Sequence, residues 1–383
     1  MNNLSFSLLS IFLFFFTVLS PVDAQKACRF PAIFNFGDGN SDTGGFTTTF
    51  GSTPLFYGQT FFKGPSGRSC DGRLVIDFMA TSLGKKFLSS YLDSVGADFS
   101  QGANFAQILS PIDVPKLVLP KDTPPFGFNP IYYGVQFAEF VQFANRSQKI
   151  RSQGGKFRSL MPKEDSFAKG LYTFDIGQND LTQALFMNTS IDDIKKMLPD
   201  LLNDFTAPIK VLYSSFGART FWIHNTGPLG CLPYVLTILP PKEVDSVGCS
   251  KSVNDLAQYF NSLLKAAVIQ LRSELPEAAI TYVDINSAMY SLYLEPQKYG
   301  FELPLEACCG LGGEHNFGAL QCGSTATING SQVTATPCKD PLKRINWDGF
   351  AYSEAANKIV FEKIATGNYS DPPNLPQLAC RRK

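Results

Sequence analysis

The stretch Ala32-Ile33-Phe34-Asn35-Phe36-Gly37-Asp38-Gly39-Asn40-Ser41-Asp42-Thr43-Gly44-Gly45 passes from an apolar, strand-forming run straight into a loop of glycine, asparagine, serine and aspartate. A short apolar run bounded by turn formers reads as a buried strand. The same change recurs along the chain. Gly102-Ala103-Asn104-Phe105-Ala106 closes a second run, Gly177-Gln178-Asn179-Asp180 follows a third, and Asn225-Thr226-Gly227-Pro228 follows a fourth. Candidate strands cover 32–36, 98–104, 171–176, 220–224 and 280–284. Candidate helices cover 74–83, 131–152, 191–216, 253–275 and about 353–365. Five strands alternating with helices predict a parallel sheet covered on both faces, with its site at the carboxyl ends of the strands. Small and polar residues cluster there in register: glycine lets a backbone approach a ligand, and asparagine supplies a donor.

Four blocks together resemble the plant GDSL (SGNH) esterase/lipase family. Residues 34–44 are similar to its first block, FNFGDSNSDTG; residues 102–106 resemble the second, and Gly177-Gln178-Asn179-Asp180 the third, GxND. Ile345-Asn346-Trp347-Asp348-Gly349-Phe350-Ala351-Tyr352-Ser353-Glu354-Ala355-Ala356-Asn357 resembles the last, WDGxHxTEAAN. Smaller matches at Gly67-Arg68, Asp71-Gly72-Arg73, 224–233 and 307–310 extend the likeness from about residue 30 to about residue 365. The resemblance implies a three-layer α/β/α SGNH-hydrolase (flavodoxin-like) fold around a central five-stranded parallel sheet, formed by one domain over residues 25–383.

The chemistry of such a family needs a serine nucleophile, a histidine base, an aspartate to orient the base, and donors for the oxyanion. By resemblance, the nucleophile position is Gly39 and the base position is Ala351, both substituted. Asp348 is the retained triad acid, and Gly102 and Asn179 are the oxyanion donors. Losing the serine of a comparable triad lowers turnover by roughly a millionfold, and losing the base as well adds little. Four other residues are candidate substitutes. Ser41 reads as motif context with its side chain turned elsewhere, and His224 as a structural residue at a strand end. His315, beyond the glycine-rich stretch 308–313, could approach a site mouth. Cys70 is the candidate unpaired thiol, without an activating base nearby.

The amino-terminal end carries an apolar run, LLSIFLFFFTVL, followed by Val22-Asp23-Ala24, which reads as a signal peptide over residues 1–24. Nine cysteines suit a secreted chain with one thiol left over; Cys231–Cys249 and the cluster Cys308, Cys309, Cys322 and Cys338 suggest local bridges. Four sequons, at Asn145, Asn188, Asn329 and Asn368, suggest glycosylation. Lysine plus arginine equal aspartate plus glutamate at 33 each, so nothing points to nucleic acid. No later stretch is apolar enough to span a membrane, and neither a metal nor a cofactor is implied.

These residues point to a secreted, apoplastic protein, with the vacuole as the alternative destination. It keeps an acyl- or glycan-type pocket for a small-molecule ester, lipid or glycan, or for a protein partner, while impaired in serine-dependent ester hydrolysis. The alternatives are an enzyme with repurposed chemistry through Asp38, Asp348 and Asn179, or residual carboxylic-ester hydrolase or acyltransferase activity through another nucleophile.

Overall fold

Every residue of Ile33–Gly37 (β1) is buried, as expected for a strand sandwiched between helical layers. In a computed structural model, which describes residues 27–51, 55–114 and 129–380, β1 lies near one edge of the main sheet. The signal-peptide reading of residues 1–24 lies outside the described residues. Gly102–Asn104 (β2), Leu171–Asp175 (β3), Thr220–His224 (β4) and Ala279–Val283 (β5) complete a parallel set in the order β5-β4-β3-β1-β2. A sixth strand corrects the five-stranded expectation: Ser370–Asp371 (β6) pairs antiparallel with β5, so the sheet is mixed. Two residues following a helix leave no periodicity from which to read a strand.

The second candidate strand is shorter than residues 98–104 suggested. The Gly102 amide turns back to the Phe99 carbonyl at 3.0 Å, and Gly102 has φ +113°. A Cβ there would overlap the Ile33 carbonyl oxygen, so only glycine lets the chain enter the sheet beside β1. Helices Val75–Ser82 (α1), Tyr133–Gln153 (α2), Gln178–Phe186 (α3), Ile191–Ser215 (α4), Lys251–Glu274 (α5), Ile285–Leu294 (α6) and Glu354–Ile364 (α7) cover the sheet. The third and sixth of these are not among the helices that periodicity predicts. Helix α3 begins inside the Gly177-Gln178-Asn179-Asp180 stretch, whose glycine signals a helix entry at φ +121° rather than a plain turn.

A buried polar seam crosses the sheet below the loops. Asn35 Nδ2 donates to Asn104 Oδ1 at 2.7 Å, and Thr173 Oγ1 donates to Asn35 Oδ1 at 2.7 Å, joining β2, β1 and β3. Around it packs an aromatic core in which Phe34 stacks on Phe167 at 5.2 Å and Phe36 on Phe174 at 5.3 Å. Disulfides join Cys28–Cys380, Cys231–Cys249, Cys308–Cys338 and Cys309–Cys322, and Cys70 is left free and buried. Among the described residues no helix is long and apolar enough to cross a membrane.

Candidate functional site

The loop after β1 is held by one carboxylate. Asp42 Oδ1 accepts from the amides of Gly44 and Gly45 at 2.8 and 2.7 Å, while Oδ2 accepts from Phe46 and Ile108 at 3.0 and 2.9 Å. Ile108 belongs to the loop after β2, so Asp42 locks the two loops together. Between them, at the carboxyl end of the sheet, opens a cavity of about 240 Å³. Asp38, Gly39 and Asn40 line it from the first loop, Ile108 and Leu109 from the second, Gln178, Asn179 and Gln183 from α3, and Asp348, Phe350 and Ala351 from the segment before α7. The cavity thus lies beyond the strand ends, where a parallel sheet gathers its loops.

Asp348 is set by its own turn. Its Oδ1 accepts from the amides of Phe350 and Ala351, both at 2.9 Å, and its Oδ2 accepts from the Tyr57 hydroxyl at 2.7 Å. Burial raises the Asp348 carboxyl above the usual aspartate range, and the Tyr57 hydroxyl and two amides pull it partly back. Tyr57 also meets Trp347 edge-on at 5.9 Å, and Trp347 packs on the Cys308–Cys338 and Cys309–Cys322 knot. Nothing in the sequence singles Tyr57 out: it lies 291 residues from its partner.

Asp38 lies deeper. Its Oδ1 accepts from the Asn40 amide at 3.0 Å, and Asn179 Nδ2 reaches its Oδ2 at 3.5 Å while also donating to the Ser110 carbonyl at 3.0 Å. Burial drives the Asp38 carboxyl well upward, and the neighbouring Asp175 carboxylate adds to the rise. Asp175 in turn takes His224 Nδ1 at 3.1 Å, and His224 Nε2 accepts from Trp222 Nε1 at 3.0 Å, so the imidazole proton sits on Nδ1. His224 is therefore enclosed beneath the cavity, as its strand-end reading implied.

The chain has two histidines, and neither lines the cavity. His315 faces the Leu305 carbonyl through Nδ1 at 3.1 Å, away from the mouth that its neighbouring loop suggested; Gln321 of that region reaches the cavity instead. Ser41 Oγ is turned below, where it accepts from Asn35 Nδ2 at 3.1 Å. Burial pushes the Cys70 thiol well up, which keeps it protonated and unreactive. A hydroxyl the sequence reading passed over, Ser69 Oγ, does line the cavity, but it donates to the Gly39 carbonyl at 2.7 Å.

Gly102 is corrected as a cavity donor. It sits at the amino end of β1, paired with Ile33, and its amide is spent on Phe99. Two other amides are available: Gly39 and Leu109 both line the cavity, and their N–H groups have no acceptor among the described residues. Leu109 holds φ +64°, a left-handed backbone that turns its amide out of the loop's own bonding. Glycine or asparagine at such a position would have been readable, whereas leucine carries no such signal. Two backbone donors without an acceptor among the described residues thus belong to residues of the cavity wall, while Asn179 Nδ2 is directed at Asp38 and Ser110.

A layered α/β protein with a cavity at the carboxyl ends of a mostly parallel sheet is the class that the fold defines. The chain belongs to the GDSL-like lipase/acylhydrolase family, whose model matches residues 33–364. It is 49% identical over 366 residues to the GDSL esterase/lipase ENOD8 of Medicago truncatula, covering 96% of this chain and 94% of that one. It is 49% identical over 371 residues to an esterase of Hevea brasiliensis, covering 96% and 94%. A third relative, alpha-L-fucosidase 3 of Arabidopsis thaliana, is 49% identical over 353 residues, covering 91% and 94%.

Proposed function

We propose that the chain is a secreted, glycosylated member of the family that binds an ester-, lipid- or glycan-type ligand in the cavity and does not hydrolyse it by serine chemistry. The observation that carries this reading is the composition of the cavity wall. Gly39 and Ala351 stand where the family pattern has serine and histidine, and both histidines of the chain lie elsewhere. Asp348 is already saturated by Tyr57 and two amides. Ser69 has no imidazole to activate it. Four disulfides support an oxidising route, and Asn145, Asn188, Asn329 and Asn368 are all exposed, Asn145 on helix α2. These observations favour the apoplast, with the vacuole as the alternative.

The test restores both positions. A Cβ built on Gly39 meets Ser69 Oγ at 3.4 Å and Ile108 Cα at 3.7 Å, ordinary contact distances, so Gly39→Ser fits. The double variant Gly39→Ser/Ala351→His should gain at least about a hundredfold in p-nitrophenyl acetate or butyrate hydrolysis, while each single variant stays near background, because the residues act as a unit. An unaltered protein that already hydrolyses these esters like the restored one would overturn the reading.

A second reading is favoured by one observation. Asp38 is a cavity carboxyl whose burial and acidic neighbour keep it protonated to higher pH than an ordinary aspartate, so it could pass a proton to a bound carbonyl compound without a covalent intermediate. A metabolite comparison of plants with and without the gene tests it: a compound that accumulates in the knockout and is restored by wild type but not by Asp38→Asn supports it, and unchanged profiles refute it.

A further inference from the structure

The neutral balance of 33 acids and 33 bases hides a local excess. Residues 146–163 carry six lysines and arginines, Arg146, Lys149, Arg151, Lys156, Arg158 and Lys163, and no acid. Elsewhere on the surface Lys86, Lys169, Lys196, Lys251 and Lys298 sit against carboxylates. None of the six forms an ion pair among the described residues. Of the acids around the segment, Asp98 is taken by Lys86 and Asp165 by Lys169, Glu164 follows Lys163 directly, and Glu139 lies earlier on α2 with a carboxylate oxygen buried.

The segment is built to present these charges. Helix α2 ends at Gln153, and Gly154 and Gly155 both take left-handed φ, +72° and +77°. A Cβ on either would meet no atom within 4 Å, so glycine is needed there for backbone conformation alone. Arg151 Nη1 then pins the return of the chain by donating to the carbonyls of Arg158 and Met161 at 2.8 and 3.0 Å. Between this return and residues 100–101 lies an open concavity of about 630 Å³, lined by Arg151, Arg158 and Lys163 together with Ser100, Gln101 and Ser159. Beside it Phe157 is 57% exposed, with Lys156 Nζ 5.1 Å from its ring centre. Gln101 precedes Gly102, which pairs with the first residue of β1, so the concavity is at the amino end of the sheet, opposite the cavity.

We propose that this concavity is a second binding site, for an acidic polysaccharide bearing carboxylate groups. The Arg158 guanidinium, and the Nε and Nη2 donors of Arg151 beside its committed Nη1, match carboxylates, and the serine hydroxyls and the Gln101 amide suit sugar hydroxyls. The Phe157 ring offers a flat apolar face to a sugar ring. The lining is concave and rich in short polar side chains, which fits a polymer strand lying in it better than a lipid surface lying across it. Because it opens at the far end of the sheet, the chain can hold a polyanion while its cavity stays accessible. The proposal does not depend on what the cavity binds.

The test uses the full secreted protein and de-esterified polygalacturonate as probe, with fully methyl-esterified polymer, dextran, and vesicles of phosphatidylserine and phosphatidylcholine as comparisons. Affinity electrophoresis should show retention by polygalacturonate that weakens with added salt, and none by the two uncharged polymers. Arg158→Glu/Lys163→Glu should weaken retention by about tenfold or more, since two attractions become repulsions. Phe157→Ala should weaken it without changing the salt dependence. Circular dichroism of each variant checks folding, and Lys163→Gln, which removes one lining charge, serves as a second charge variant if the double one misfolds. Equal retention of the charge variants, no retention by polygalacturonate, or retention on phosphatidylserine vesicles alone each overturns the proposal.

Discussion

Replacing Tyr57 by phenylalanine removes one oxygen atom and isolates another. Asp348 Oδ2 loses its 2.7 Å donor inside a buried site, while Oδ1 keeps the amides of Phe350 and Ala351 at 2.9 Å. The ring contact with Trp347 survives, so packing changes little. A hydrogen bond to a buried charged group is worth about 1.5–3 kcal/mol. The sign with pH follows from the direction of the shift. Burial already raises the Asp348 carboxyl, and losing a donor that favoured the charged form raises it further. A carboxyl whose folded value lies above its unfolded one costs nothing while protonated in both states, and destabilises the fold as pH rises through the folded value. Tyr57→Phe should therefore cost about 1.5–3 kcal/mol near pH 7 and only about 1 kcal/mol near pH 4. Guanidinium denaturation of both proteins at the two pH values measures this. An equal loss at both would refute the reasoning, because the effect would then be packing rather than a bond to charge. In the Gly39→Ser/Ala351→His background the same change frees Oδ2 for the introduced imidazole, so ester hydrolysis should rise while stability falls.

Asp180 accepts from the amides of Ile112 and Asp113 at 3.0 and 3.3 Å, and burial raises its carboxyl to about 7. Its favourable state is the protonated one, so wild-type stability should fall by about 2 kcal/mol as pH rises through about 7, and Asp180→Asn should flatten that slope; identical pH profiles of melting temperature would count against it. Leu109→Gly relieves a left-handed leucine worth about 1–2 kcal/mol but loses a similar amount in chain entropy and apolar contact, so stability should change by under about 1 kcal/mol. In the restored background the enlarged cavity should shift preference toward longer p-nitrophenyl esters, and an unchanged chain-length profile would show that Leu109 does not bound the pocket.

Part of the cavity wall was legible because Asp38, Gly39 and Asn179 follow the ends of β1 and β3, which a parallel sheet delivers to one edge, whereas Asp348 and Ala351 join them from the segment before α7. Gly102 was misread for a related reason. Its block ends a strand, yet the glycine itself begins it, one rise of the sheet away from the cavity. The four sequons and the odd cysteine needed only local patterns, and Cys70 is indeed the thiol without a partner.

By itself, then, the amino-acid sequence determined the layered α/β architecture, the family, and the end of the sheet to which the loops after β1 and β3 run. These depend on periodicity and on neighbours within a few residues. Only the tertiary structure decided that Tyr57 closes on Asp348, that Leu109 rather than Gly102 carries an unspent amide beside the cavity, and that Arg151, Arg158 and Lys163 line a concavity at the opposite end without an ion-pair partner among the described residues. The first joins residues far apart in the chain, the second turns on a backbone angle that leucine does not announce, and the third on which charges lack partners in space. Such facts arise from through-space distance and from dihedral choices imposed by packing, and no one-dimensional pattern carries either.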